Sequence, residues 1–473
     1  MLQKIYKPNE FERHNHWYDK VLNSTIHPIV RHFFDMSSEQ IANRYCHLNP
    51  TTDKAKLIEL LAYKCKYFVW GGADLINVTS SSGNRQMVVI ENNSCPSGQK
   101  SMPLLQDYGN ETTYHQLIKD TFKNKIKSTR LKGVIAVVYD KNQMEASGYA
   151  SAIADVMKEE VYLVPFKNHD IQPNVKFEND VMYINSDGQW LKVRACFRYL
   201  TQKPWNRLPI LSKTKIMNPI ISCISGGRNK LVAAKAYDIF NAELMNYGLK
   251  INTPNTIWEV RKNEIPLWLK QMGGRAVIKV PYSNAGQGVY TIVTQKDLDD
   301  FMSINFDYDL FIVQSLIGNS EWSSEFKNTK LYHVGTIPNK RNETYVCDIR
   351  MMIHSTSNGL KPLCTYARRA KKPLPNDIND IIESWNILGT NLSYKDDNNN
   401  WQSDTNRLVL MDTKDFNSLG IGIDDLIDAY IQSLLSTIAI DKMCQTLISS
   451  KGTLKRKLFK SLNNDENLLN EII

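Results

Sequence analysis

Residues 273–292 read GGRAVIKVPYSNAGQGVYTI. An apolar run carries one lysine, Lys279, and opens into a polar, glycine-spaced stretch, Ser283-Asn284-Ala285-Gly286-Gln287-Gly288, before apolar residues resume. The spacing predicts two strands joined by a loop. Backbone N–H groups of such a loop can cradle phosphate oxygens, and a strand lysine beside it can neutralise the same ligand. An ordinary hairpin turn is the bland alternative, and the remaining sequence has to separate the two.

The chain has 473 residues, 42% hydrophobic and 23% charged, enough for two or three sub-domains with their own cores. It contains no apolar run of about 18 residues, so no transmembrane helix and no membrane partner are expected. Its start, MLQKIYKPNEFERHNHWYDK, lacks an apolar signal core, and the eight cysteines are scattered without a CxxC pair. A cytoplasmic protein with reduced thiols is the expectation. The net charge of +9 is dispersed. Its densest cluster, KGTLKRKLFK at 451–460, reads as a solvated helix face, and no nucleic-acid partner is expected. The His-Asn-His run at 14–16 has no cysteine or carboxylate at metal-ligand spacing and reads as ordinary polar helix.

Residues 1–125 read as a helical region followed by two alternating runs around Ser81-Ser82-Gly83-Asn84, a β-hairpin pattern. Residues 126–210 contain strand, helix and strand (GVIAVVYD, ASGYASAIADVMKEE, VYLVPF), a βαβ unit without a GxGxxG turn. Residues 211–380 hold the quoted stretch, a buried strand at DLFIVQSLIG and a strand pair around Ser357-Asn358-Gly359. Residues 381–473 carry a surface loop at 396–400 and then helix.

Five constellations carry chemistry. In IENNSCPSGQKS, Glu91 and Asn93 alternate onto one face of a strand end, where a carboxylate and an amide oxygen can share a hard cation; Asp74, on the partner strand, adds a third oxygen. A solvent-facing strand end produces the same pattern. Lys279 with the glycine-spaced loop is the second. The third is Ser225-Gly226-Gly227-Arg228-Asn229-Lys230, opening a helix. The fourth is the strand ending at Gln314, followed by Leu316, whose backbone can offer hydrogen bonds to a base edge. The fifth is TYARRAK, in which period two puts Arg369 and Lys371 on one face.

The order and joint chemistry of these elements resemble the ATP-grasp superfamily. Because the metal pair precedes both lysines in the chain, they resemble its circularly permuted branch, which includes eukaryotic-type glutathione synthetases and glutathionylspermidine synthetases. The resemblance spans about residues 70–375 and implies an α/β (α+β) ATP-grasp fold with an inserted βαβ substrate domain. Carried over by motif, it places Mg²⁺ at Asp74, Glu91 and Asn93. It places ATP at Lys230, Lys279, Gly286, Gly288, Gln314 and Leu316, and substrate contacts at Ser94, Ser97 and Gln99. Arg369 and Lys371 match the family's R-x-K strand, and Arg198, in the aromatic and basic piece FRYLTQKPWNR, is the expected carboxylate clamp.

Two departures stand out. The family's arginine two positions before the aspartate is Gly72 here, which argues against γ-glutamylcysteine as substrate, and the loop offers Ser283 and Asn284 where the family has a metal-binding glutamate. The implied activity is ATP-dependent carboxylate–amine ligation through an acyl phosphate, with small amino-acid-like or peptide-like substrates and a possible homodimer. An ATP-grasp phosphotransferase and a non-catalytic nucleotide- or nucleic-acid-binding protein of the same fold are the alternatives.

Overall fold

The computed structural model describes residues 4–106, 111–167, 173–283, 286, 288–381, 383–395 and 401–472. The expected surface loop at 396–400, and Asn284, Ala285 and Gln287 of the glycine-spaced stretch, lie outside these. No helix among the described residues is long and apolar enough to cross a membrane. All eight cysteines are free thiols, seven of them buried.

The alternating runs around Gly83 form the predicted hairpin. Strands Trp70–Ser80 and Arg85–Asn93 pair antiparallel, with Asp74 opposite Glu91 and Gly72 opposite Asn93. Strands Cys347–Thr356 and Gly359–Arg369 form the second predicted pair. The first of these also runs antiparallel to Trp70–Ser80, so that Arg350 lies opposite Asp74. With Glu325–Phe326, Thr329–His333 and Leu408–Val409 they make a seven-stranded antiparallel sheet.

Helix Ile423–Leu447 packs on this sheet and is buried along most of its length. It is apolar on nearly every face, as a helix enclosed by its own domain must be. Its one carboxylate deep in the core, Asp441, accepts hydrogen bonds from the backbone N–H groups of Lys66, Tyr67 and Phe68 and from the Tyr63 hydroxyl. A buried charge satisfied this fully fixes the helix against the segment that leads into Trp70–Ser80.

The βαβ unit forms as its pattern predicts. Val134–Tyr139 and Val161–Pro165 pair in parallel, helix Gln143–Met157 connects them, and Gln189–Tyr199 extends the parallel pairing on the other side. The quoted stretch supplies Ala276–Lys279 and Val289–Ile292, an antiparallel pair. These join Leu310–Gln314 and Thr256–Arg261 in a separate four-stranded sheet. Its own apolar cluster includes Ile278, Phe301, Phe311 and Val313. Each such side chain contributes about 1.5–3 kcal/mol through burial, enough to hold this small sheet as a unit.

Candidate active site

Residues from the three larger sheets line one cavity of about 230 Å³. The four-stranded sheet contributes Lys279 and Gln314, the central sheet Asp74, Glu91 and Asn93, and the edge of the βαβ unit Lys141. Most of the residues proposed for nucleotide and metal therefore converge, although they come from segments nearly 200 residues apart; Lys230 lines a smaller adjoining cavity that shares Glu91, Lys279 and Gln314.

Two lysines approach Glu91 from different elements. Lys230, in the first turn of helix Lys230–Leu244, donates from Nζ to the Ser283 carbonyl (3.2 Å) and hydroxyl (3.0 Å), and lies 4.0 Å from Glu91 Oε1. Lys279 donates to the Ile90 carbonyl at 3.0 Å, reaching from the small sheet to the strand that bears Glu91. Burial pushes the Lys279 amine down to about 8; Glu91 opposes this and Lys230 adds to it. Burial also pushes Lys230 down, against the pull of Glu91. Two crowded, buried amines with lowered basicity suit an anionic ligand, whose charge would favour their protonated forms.

Two glycines of the glycine-spaced stretch border this region. Gly286 (φ +76°) lines the cavity, and Gly288 (φ +69°) shapes the turn behind it. A Cβ at Gly288 would stand 2.9 Å from Val280 Cβ, so both conformation and space require glycine there. A Cβ at Gly286 would stand 3.0 Å from the Trp385 ring, and Trp385, Gly389 and Asn391 line the same cavity. This second lining segment, 385–393, has a lone glycine and no lysine, and it went unread in the sequence.

The carboxylates divide into two kinds. Asp74 receives Arg350 Nε at 2.5 Å and Nη2 at 2.6 Å, and Arg368 Nη2 at 3.0 Å. Arg368 also pairs bidentately with Asp348. Burial pushes the Asp74 carboxyl up, but Arg350 and Arg368 together outweigh it and hold it well below the usual carboxylate range. Asp74, expected as a metal ligand, is thus the anion of a buried ion-pair network. Glu91 and Asn93 keep oxygens toward the cavity, and Asn93 Nδ2 leans on Asp74 at 3.4 Å. One carboxylate and one amide oxygen, completed by ligand oxygens, fit Mg²⁺, which prefers few protein ligands. Among the described residues, no cluster of three or more His, Cys, Asp and Glu could hold a metal by itself.

Other expectations change. Arg198 is fully buried. It donates to the Asn218 and Leu200 carbonyls and to Ser94 Oγ, so it braces a loop and has no donor turned to the cavity. Ser94 and Gln99 are likewise buried behind the wall: Ser94 Oγ receives Arg198, and Gln99 Nε2 donates to the Tyr149 hydroxyl. Ser97 is the member of that set that lines the cavity. Arg369 lies over the Tyr345 ring, 4.7 Å from its centroid, and Lys371 is exposed. The face of Gly359–Arg369 turned to the cavity carries Tyr366 and Arg368 instead, one residue out of phase with the expected pair. Gln314 and Leu316 line the cavity, but the Leu316 N–H is taken by Ser324 Oγ (2.7 Å) and its carbonyl accepts from the Ser324 N–H (2.9 Å), which leaves one carbonyl lone pair for a base edge.

Gly72 has a steric cause: a Cβ there would lie 2.8 Å from Pro96 Cβ, so Pro96 fills the place of a longer side chain. The 97–99 loop is organised by Glu145, in the first turn of Gln143–Met157. Its carboxylate accepts from Ser97 Oγ (2.6 Å), the N–H groups of Gly98 and Gln99, and the Tyr199 hydroxyl. The sequence signal was available, since this helix is built of small apolar residues on every side and a glutamate at its start must be buried.

Among solved structures, the chain is similar to ATP-grasp proteins. A glutathione synthetase-like effector from Globodera pallida, in its apo form, is 10% identical over 73% of this chain and 85% of that one, with a TM-score of 0.38. D-alanyl-alanine synthetase A from Vibrio cholerae is 10% identical over 49% of this chain and 88% of that one (TM-score 0.31). A RimK domain ATP-grasp protein from Sphaerobacter thermophilus is 13% identical over 49% and 89% (TM-score 0.27). No protein-family model matches the chain, and no curated protein matches it. At such identities, and with TM-scores below 0.5, these likenesses decide nothing about reaction or substrate.

Proposed function

We propose that this chain is an ATP-dependent carboxylate–amine ligase of the circularly permuted ATP-grasp type, releasing ADP and forming an amide through an acyl phosphate. The observation that supports it best is the approach of Lys230 and Lys279, from separate elements, to Glu91: Lys279, Glu91 and Gly286 line the main cavity, and Lys230 lines a smaller adjoining one that shares Glu91 and Lys279. A triphosphate there would meet both amines, with the loop's backbone above it and the Gln314–Leu316 segment beside the base.

Glu91 and Asn93 would hold Mg²⁺, which supplies charge neutralisation of the phosphate oxygens. Lys230 and Lys279 stabilise negative charge as the γ-phosphoryl group transfers to a substrate carboxylate, and positioning accounts for most of the remaining rate. Arg350 and Arg368, each tied to an aspartate, hold rather than catalyse. Arg350 Nη1 and the Tyr366 hydroxyl both donate to the Ser97 carbonyl and fix the loop that faces the acceptor.

The test is ADP release and hydroxamate formation from purified protein with MgATP, hydroxylamine and pooled small carboxylic acids. Carboxylate-dependent hydroxamate that disappears in Glu91→Ala is expected. ADP with a phosphorylated product and no hydroxamate would make the protein a phosphotransferase.

A further inference from the structure

The lysine-rich stretch KGTLKRKLFK at 451–460 has no part in the cavity, and the fold sets it beside other cations. Ile448 and Leu454 pair across a turn at the end of helix Ile423–Leu447, and Lys455 Nζ donates back to the Thr446 carbonyl at 2.9 Å. Lys451, Lys455 and Arg456 are thereby held at the C-terminal end of that helix. Residues 63–68 meet the same end, through the Asp441 carboxylate and through Gln445 Nε2, which donates to the Tyr63 hydroxyl at 2.9 Å. They bring Lys64 and Lys66, exposed on either side of buried Cys65. A Cβ on Gly452 would stand 3.2 Å from Leu211 Cδ1, and just beyond Leu211 come Lys213 and Lys215, exposed on either side of buried Thr214.

Seven exposed cations thus come from three segments that touch one another. Their own stretches supply no counter-charge: residues 60–73, 188–237 and 442–464 contain neither aspartate nor glutamate. Asp441 is buried and already accepts from backbone N–H groups. Asp180, whose carbonyl accepts from the Lys213 N–H, is an acidic residue at the margin. A face so unbalanced attracts a polyanion. Six of the seven are lysines, compact point charges rather than the planar forks that read phosphates and bases bidentately. No large aromatic side chain of these segments is exposed for base stacking, whereas Leu211 is 48% exposed among the lysines. Several lysines around a protruding aliphatic side chain match the surface of an anionic bilayer.

We propose that this face, seven cations around Leu211, docks on an anionic membrane surface, with the leucine entering the headgroup layer. The contact is peripheral, in keeping with the lack of a spanning helix among the described residues. It corrects the expectation of a merely solvated helix face without a membrane partner. None of these residues lines the cavity, so the proposal stands apart from the ligase reading.

Sedimentation of the full chain with vesicles of phosphatidylcholine, alone or with phosphatidylserine, at low and high salt tests it. Binding to the serine-lipid vesicles at low salt, lost at high salt and absent with phosphatidylcholine alone, is expected. Lys213→Gln with Lys215→Gln, and Lys451→Gln with Arg456→Gln, should each weaken binding about thirtyfold, at about fivefold per charge. Leu211→Ser should weaken it about fivefold at unchanged charge. The control pair, Lys340→Gln with Arg341→Gln, follows Ile337, whose N–H meets the Ser418 carbonyl near the other end of helix Ile423–Leu447. It should leave binding unchanged, and all variants should melt as wild type does. No sedimentation with either vesicle, equal sedimentation with both, or a control pair that weakens binding as much as the face pairs overturns the proposal. Tighter binding of a single-stranded oligonucleotide than of the vesicles, lost in the same face variants, overturns it by giving the face to nucleic acid.

Discussion

Lys279 offers a quantitative handle on the nucleotide reading. Its amine sits near 8 in the free protein because it is buried, with Lys230 adding to the effect. A phosphate oxygen placed about 4 Å away at an effective dielectric of about 20 would favour the charged amine by about 4 kcal/mol, close to three pH units. The complex should therefore hold Lys279 fully protonated. Nucleotide binding must then take up roughly half a proton at pH 8, about 0.9 at pH 9 and about 0.1 at pH 7. Because the bound form holds more protons, affinity falls as pH rises, with Kd weakening about fivefold from pH 8 to 9 from this one group. Lys230, also lowered, acts in the same direction. Titrations of AMP-PNP at pH 8 in buffers of different ionisation enthalpy read the uptake directly, and Lys279→Met should reduce it by the Lys279 share. Binding heats that do not depend on the buffer, or the same uptake in Lys279→Met, would refute the placement of phosphate beside this lysine.

Further outcomes follow from the same contacts. Asp74→Asn leaves Arg350 and Arg368 short of an anion and should cost about 3 kcal/mol in urea unfolding. Asp74 has a depressed folded pKa, so its contribution is present above the ordinary carboxylate range and is lost as pH falls below about 4; the wild type should destabilise there more steeply than Asp74→Asn. Gly288→Ala puts a side chain 2.9 Å from the buried core residue Val280 at positive φ, and should both lower the melting temperature and raise the KM for ATP. Arg198→Leu should lower the melting temperature, with a cost of about 3 kcal/mol from stranded acceptors at Asn218, Leu200 and Ser94, rather than selectively raise the KM for the acid.

The legible parts of the site are those fixed by local rules. Glu91 and Asn93 share a face because strand alternation is local, and Lys279 precedes a loop because glycine spacing is local. Their meeting is not local, and chain order supplied it through the family resemblance. The errors have the same physical origin. Arg368 and Arg369 are adjacent, so one of them must face inward, and the choice is made by Asp74 and Asp348 on neighbouring strands that the segment itself does not reveal. Arg198 reads as a cleft residue by charge, yet Phe197, Tyr199 and Leu200 around it are all buried, and an arginine among them can only donate inward. Asp74 retained the position of a metal ligand, but two guanidinium groups occupy its oxygens. The burial of Glu145 could be read from the small apolar residues of its helix, but its partners, a loop and a tyrosine 46 to 54 residues away, could not.

The most direct measurement of the central claim is affinity labelling with an acyl-phosphate derivative of ATP, which transfers its acyl group to lysines that touch the nucleotide phosphates, followed by peptide mapping. Label on Lys230 and Lys279, blocked by excess ATP and unaffected by small carboxylic acids, is the predicted result. Labelling confined to other lysines, or labelling of these two that ATP does not block, would contradict the assignment of this cavity to ATP.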